Sequence, residues 1–128
     1  MRLLLRNDRC TTALAVLVVA ALAVRVAAVL WLAPPTNRPT TYEHGEIADN
    51  PLAGRGFSVR FLGVEGPTSQ QAPWVPLLLA ACALPFGHVT PTAVFALQLL
   101  QCIAGVAMVV AVAKTAWGWF PERRGIGY

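Results

Sequence analysis

Apolar positions along the chain gather into three blocks, with one long polar stretch after the first. From Ala13 to Leu32 twenty residues run with Arg25 as their only charge. Wound as a helix they rise about 30 Å, the thickness of one hydrocarbon core. Trp31 closes the run, at the level where aromatic anchors sit in a bilayer. The second block, Ala72 to Phe86, holds fifteen residues with Pro73 and Pro76 at its start and Pro85-Phe86-Gly87 at its end. That length is short for a crossing, so a re-entrant or tilted piece competes with a span. The third block, Ala93 to Ala113, is long enough to span. Thr90-Pro91 starts it as a capping residue followed by proline at the first helical position, and Trp117, Trp119 and Phe120 follow beside Lys114.

The polar stretch between the first two blocks reads differently. Pro34-Pro35 and Pro39 stop the first helix and stiffen its exit. Residues 41–50 suit a short helix capped by Thr40 or Thr41, with acidic residues in its early turns. Glu43, Glu46 and Asn50 then share a face, and Pro51 is expected to end the helix at Asn50. Gly54 to Ser58 reads as a turn, Val59 to Val64 as one extended piece, and Gly66 to Ser69 as a second turn.

These elements predict an all-α integral membrane protein with two to three transmembrane helices. The expected order is a tail over 1–12, a span over 13–33, an external loop over 34–71, a short span or re-entrant helix over 72–87, a third span over 91–120 and a tail over 121–128. The loop is expected to be mostly irregular apart from the helix at 41–50. Arg2, Arg6 and Arg9 precede the first block, which puts the N-terminus in the cytoplasm by the positive-inside rule. A cleaved signal peptide is disfavoured: its apolar core is normally about 7–15 residues, followed by a small-residue cleavage site. With all three blocks crossing, Arg123 and Arg124 lie outside, against that rule. With two crossings they return to the cytoplasm. Three are expected, because the second and third blocks are joined by an uncharged link.

Composition agrees. The chain is 56% hydrophobic and 12% charged, against about 25% charged in ordinary soluble domains. The net charge of +4 comes almost entirely from arginine. The arginines flank apolar runs instead of clustering, which fits headgroup phosphates and gives no nucleic-acid face. Cys10, Cys82 and Cys102 have no paired spacing and read as small apolar fillers.

Candidate chemistry is concentrated outside the apolar blocks, with one exception. Arg25 lies about 10 Å from the outer end of its helix. A charge at that depth marks either a functional site or a side chain that snorkels to the headgroups. Glu43 and Glu46 stand where a general base would meet a substrate carried on a lipid, or else form a solvated face. With His44 they could hold a divalent metal, although no standard ligand spacing supports it. Arg55, between two glycines, and Arg60 carry guanidinium forks that match phosphate oxygens. Gln98, Gln101 and Gly105 share one face of the third block, a pattern suited to helix packing and so to a partner.

Tyr42-Glu43-His44-Gly45-Glu46-Ile47-Ala48-Asp49-Asn50-Pro51-Leu52-Ala53-Gly54-Arg55-Gly56-Phe57-Ser58, then Gln71-Ala72-Pro73-Trp74-Val75-Pro76 opening an apolar run, resembles the amino-terminal part of bacterial GT-C membrane glycosyltransferases. The group is glycosyltransferase family 39, related to protein O-mannosyltransferases and the lipid A aminoarabinose transferase. The resemblance covers roughly residues 13 to 120, and its A-x-N-x-L-x-G-R-G-F-S segment is the specific part. It implies sugar transfer from a polyprenyl-phosphate donor to a lipid, glycan or protein acceptor, outside the bacterial inner membrane. It casts Glu43 and Glu46 as catalytic candidates and Arg55, Arg60 and Arg25 as donor-phosphate ligands. In the family the base falls near Thr40, which is not acidic, and Glu43 is the nearest replacement. Pro51 and Gln71-Ala72-Pro73 also depart from the usual text.

Enzymes of that kind have many more spans. The chain is therefore expected to be an amino-terminal fragment of an incomplete GT-C bundle, inactive alone and completed by missing spans or a partner. The rival is a small non-catalytic membrane protein that packs its Gln98, Gln101 and Gly105 face on a larger one. A transporter role is weaker, since no block is broken at its middle by glycine.

Overall fold

The computed structural model describes residues 2–32, 41–69 and 71–120. Expectations for the proline exit at 34–39, for Thr40 and for the tail with Arg123 and Arg124 lie outside them. The described chain is mostly helical, in the order α1 (Arg2–Leu32), α2 (Tyr42–Leu52), β1 (Ser58–Phe61), β2 (Val64–Pro67), α3 (Trp74–Ala83) and α4 (Pro91–Trp119), with a 3-10 turn at Leu84–Phe86. Two stretches of helix, Thr11–Leu32 and Pro91–Trp119, are long and apolar enough to cross a membrane. The first helix starts well before Ala13, because nothing between Arg2 and Thr12 breaks it.

The chain divides into two compact units. One combines residues 1–28 with 99–128, and so holds most of α1 and the later part of α4. Here the Arg25 side chain lies over Gly105: a Cβ added at Gly105 would stand 2.9 Å from Arg25 Nε. Most other apolar side chains of Thr11–Leu32 are exposed, Val16, Val19 and Val24 among them.

The second unit spans residues 29–98. Its core is Ala48 of α2, Leu79 and Ala80 of α3 and Leu97 of α4, with Leu52, Val75, Leu78, Cys82, Val89 and Val94 packed around them. Small residues at the α2–α3 contact let the two backbones approach closely. Thr90 caps α4 as expected, its Oγ1 accepting the Ala93 amide at 3.1 Å.

Two expectations for the polar stretch are corrected. Pro51 sits inside α2, which continues to Leu52. A proline in the final turn forfeits one backbone bond, and the helix then ends through glycine. Gly54 takes a positive φ of 74°. Its amide bonds Pro51 O at 3.0 Å and the Arg55 amide bonds Asn50 O at 2.8 Å, the paired closure of a Schellman motif. The second correction is that Val59 to Val64 is not one extended piece, and Gly66-Pro67, expected in a turn, lies in a strand. The chain folds back at Leu62-Gly63, and β1 pairs antiparallel with β2 in the register Ser58↔Pro67, Val59↔Gly66, Arg60↔Glu65, Phe61↔Val64. Alternating ladder bonds leave Arg60 and Pro67 at positions that exchange none across the pair, so the missing proline N–H costs nothing there.

Both residues of the hairpin turn have positive φ, 50° at Leu62 and 84° at Gly63. Such turns favour asparagine followed by glycine, and leucine is strained in that region. Leu62→Asn should therefore stabilise the hairpin by about 1 kcal/mol. Slower amide exchange across residues 58–67 would register the gain, and unchanged exchange would argue against strain at this turn.

Candidate functional site

The end of α2 builds the site. Asn50 is 2% exposed, and both ends of its amide are used. Its Nδ2 donates to Ser58 O at 2.8 Å, and its Oδ1 accepts from Arg55 Nε at 3.0 Å. One side chain thus ties the last turn of α2 to the first residue of β1 and to the loop between them. Ser58 Oγ reinforces the loop by donating to Arg55 O at 3.3 Å. The same Arg55 Nε stands 3.1 Å from Glu65 Oε1 on β2.

Glu46 makes the second link. Its Oε1 accepts the Arg60 amide at 2.8 Å, the outward-pointing N–H that the ladder leaves free. Asp49 makes the third, its Oδ1 accepting the Val89 amide. These links enclose an open pocket of about 330 Å³ lined by Glu46, Asp49, Asn50, Arg55, Arg60 and Glu65, together with Thr41, Gly45 and Val89. The lining brings three carboxylates and two guanidinium groups together, acceptors and donors that suit a hydroxylated ligand.

The predicted residues divide between this pocket and other places. Glu46, Arg55 and Arg60 line it. Glu43 lies one turn away from Glu46 and is not among the lining residues. It is exposed, and its Oε2 accepts from Gln71 Nε2 at 3.2 Å. Glu43, Glu46 and Asn50 do not share one environment either, since the two glutamates are exposed and Asn50 is buried. Arg25 belongs to the other unit, where its Nη1 donates to Ala21 O at 3.1 Å. Gly105 is covered by Arg25, Gln98 is half-buried and Gln101 is exposed.

Asp49 and Glu65 are the charged pocket residues that sequence reasoning did not single out. Asp49 could have been found, since it follows Glu46 by three positions on the same helix. Glu65 could not, because only the hairpin register sets it across from Arg60. His44 Nδ1 is buried and has no hydrogen-bond partner among the described residues. Among the described residues no three His, Cys, Asp or Glu side chains are grouped to hold a metal ion.

No family model, curated protein or solved structure matches the chain.

Proposed function

We propose that the chain is an integral membrane protein and supplies the sugar-handling pocket of a GT-C-type glycosyltransferase that uses a polyprenyl-phosphate donor. The observation that carries the reading is the pocket itself. Glu46, Asp49, Asn50 and Arg55 of the segment that carries the family resemblance converge there with Arg60 and Glu65, three carboxylates and two guanidinium groups together. In this reading Glu46 is the base: the Arg60 amide holds its Oε1, and no hydrogen bond engages its Oε2 among the described residues. That fixed geometry aims the free oxygen at an acceptor hydroxyl. Arg60, whose guanidinium makes no ion pair among the described residues, takes the donor phosphate. Arg55 acts as the frame, since its Nε is shared by Asn50 and Glu65.

The membrane half of the reading rests on α1. A helix that is apolar all round and exposed along its span-length stretch needs lipid or protein around it. The rival reading, a packing protein, is less well supported, since Gly105 on its contact face already receives Arg25.

The test is binding of a polyprenyl-phosphate hexose to the purified chain in lipid nanodiscs. Saturable binding is expected, weakened about tenfold by Arg60→Ala through loss of one charge-assisted contact. Glu46→Gln should leave binding unchanged. No saturable binding, or equal affinity of the Arg60→Ala variant, would remove the donor role.

A further inference from the structure

Helix α3 is apolar, yet both of its flanks are tied to one polar helix. Before it, Gln71 bonds Glu43. After it, the Val89 amide bonds Asp49. Glu43 and Asp49 are six residues apart on α2, a rise of about 9 Å. Two points tethered that closely cannot sit on opposite faces of a hydrocarbon core about 30 Å thick. For α3 to cross, α2 would have to enter the bilayer with Glu43, Glu46 and Asp49, each a costly charge there. The ten residues of α3 and the three of the 3-10 turn also reach only about 21 Å.

The sides of α3 are unequal in an informative way. Pro76, Leu79, Ala80 and Ala83 are buried within the unit. Trp74, Leu77 and Leu84, spaced at helical intervals along another face, are 72%, 49% and 66% exposed, and Phe86 just beyond is 45% exposed. This unit also includes Val29–Leu32 from the end of α1 and Pro91–Gln98 from the start of α4. It is joined at both ends to the two helices able to span a membrane. If those two cross, the unit is anchored at the surface of one leaflet.

We propose that α3 is an interfacial helix whose partner is bilayer lipid. Trp74, Leu77, Leu84 and Phe86 rest in the boundary between headgroups and acyl chains, and the chain crosses twice, through α1 and α4. This inference rests on the membrane reading above. It replaces the expected three crossings and returns the end of α4 to the side where α1 begins, which removes the conflict with the positive-inside rule.

The test uses the full chain in bacterial inner-membrane vesicles, with its three cysteines replaced by serine and single cysteines placed at Asn7, Ser69, His88 or Gly118. An impermeant maleimide should label Ser69 and His88 from one side, and Asn7 and Gly118 from the other. Opposite sides for Ser69 and His88 would overturn the proposal while leaving the membrane reading intact. Release of the chain by alkaline carbonate would overturn the membrane reading and this proposal with it. The lipid contact is read from Trp74 emission, taken as the difference between the full chain and W74F. Lipid brominated near the headgroup should quench it about twofold more than lipid brominated near the chain end. Equal, weak quenching by both would mean that protein covers the face.

Discussion

Replacing Asn50 by alanine should open the α2–hairpin junction. The substitution strands Ser58 O, whose residue is 5% exposed, and removes the acceptor that holds Arg55 Nε. A buried carbonyl left without a donor costs about 1–3 kcal/mol, and the small cavity adds to it. A total of about 2–3 kcal/mol should raise amide exchange in residues 58–67 roughly fiftyfold. Asn50→Asp separates the two contacts, since it keeps an acceptor for Arg55 and loses the donor to Ser58 O. Hairpin exchange that stayed at its original rate in the alanine variant would mean that the hairpin stands without Asn50.

Asp49→Ala should have the second largest effect, of about 2 kcal/mol, because a hydrogen bond to a charged acceptor contributes more than a neutral one. The bond fixes the link between α3 and α4, and Val89 itself packs on the core. Its loss should appear first in the Val89 amide and then at Val94 and Leu97. Asp49→Asn retains an acceptor oxygen and should recover most of the protection. Exchange in Asp49→Asn identical to that of the unsubstituted protein would show that the carboxylate contributes no charge assistance.

The long elements were legible in the sequence because their signals are local. A twenty-residue run with Arg25 as its only charge declares α1, and Thr90-Pro91 declares the start of α4 at the residue where it begins. The centre of the chain was harder for a physical reason. Leu62 occupies a turn position where asparagine or glycine is the usual sign, so the hairpin carried half of its normal signal. Pro51 reads as a helix stop, but the stop falls at Gly54, where a positive φ is needed. Glu43 and Glu46 were recognised as candidates from their charge, their place on a short helix just after the first apolar block, and the family resemblance. Their separation into a Gln71-bound residue and a pocket residue depends on contacts 28 and 14 positions away. No periodicity contains that information.

The bond between Glu46 and the Arg60 amide has one more consequence. A strand at the border of a two-stranded sheet offers free backbone groups that can template pairing with another chain. Here a side chain from α2 occupies the outward amide at the middle of β1, so the border does not present a continuous ladder. A chain adding along β1 would have to displace Glu46 from that amide first.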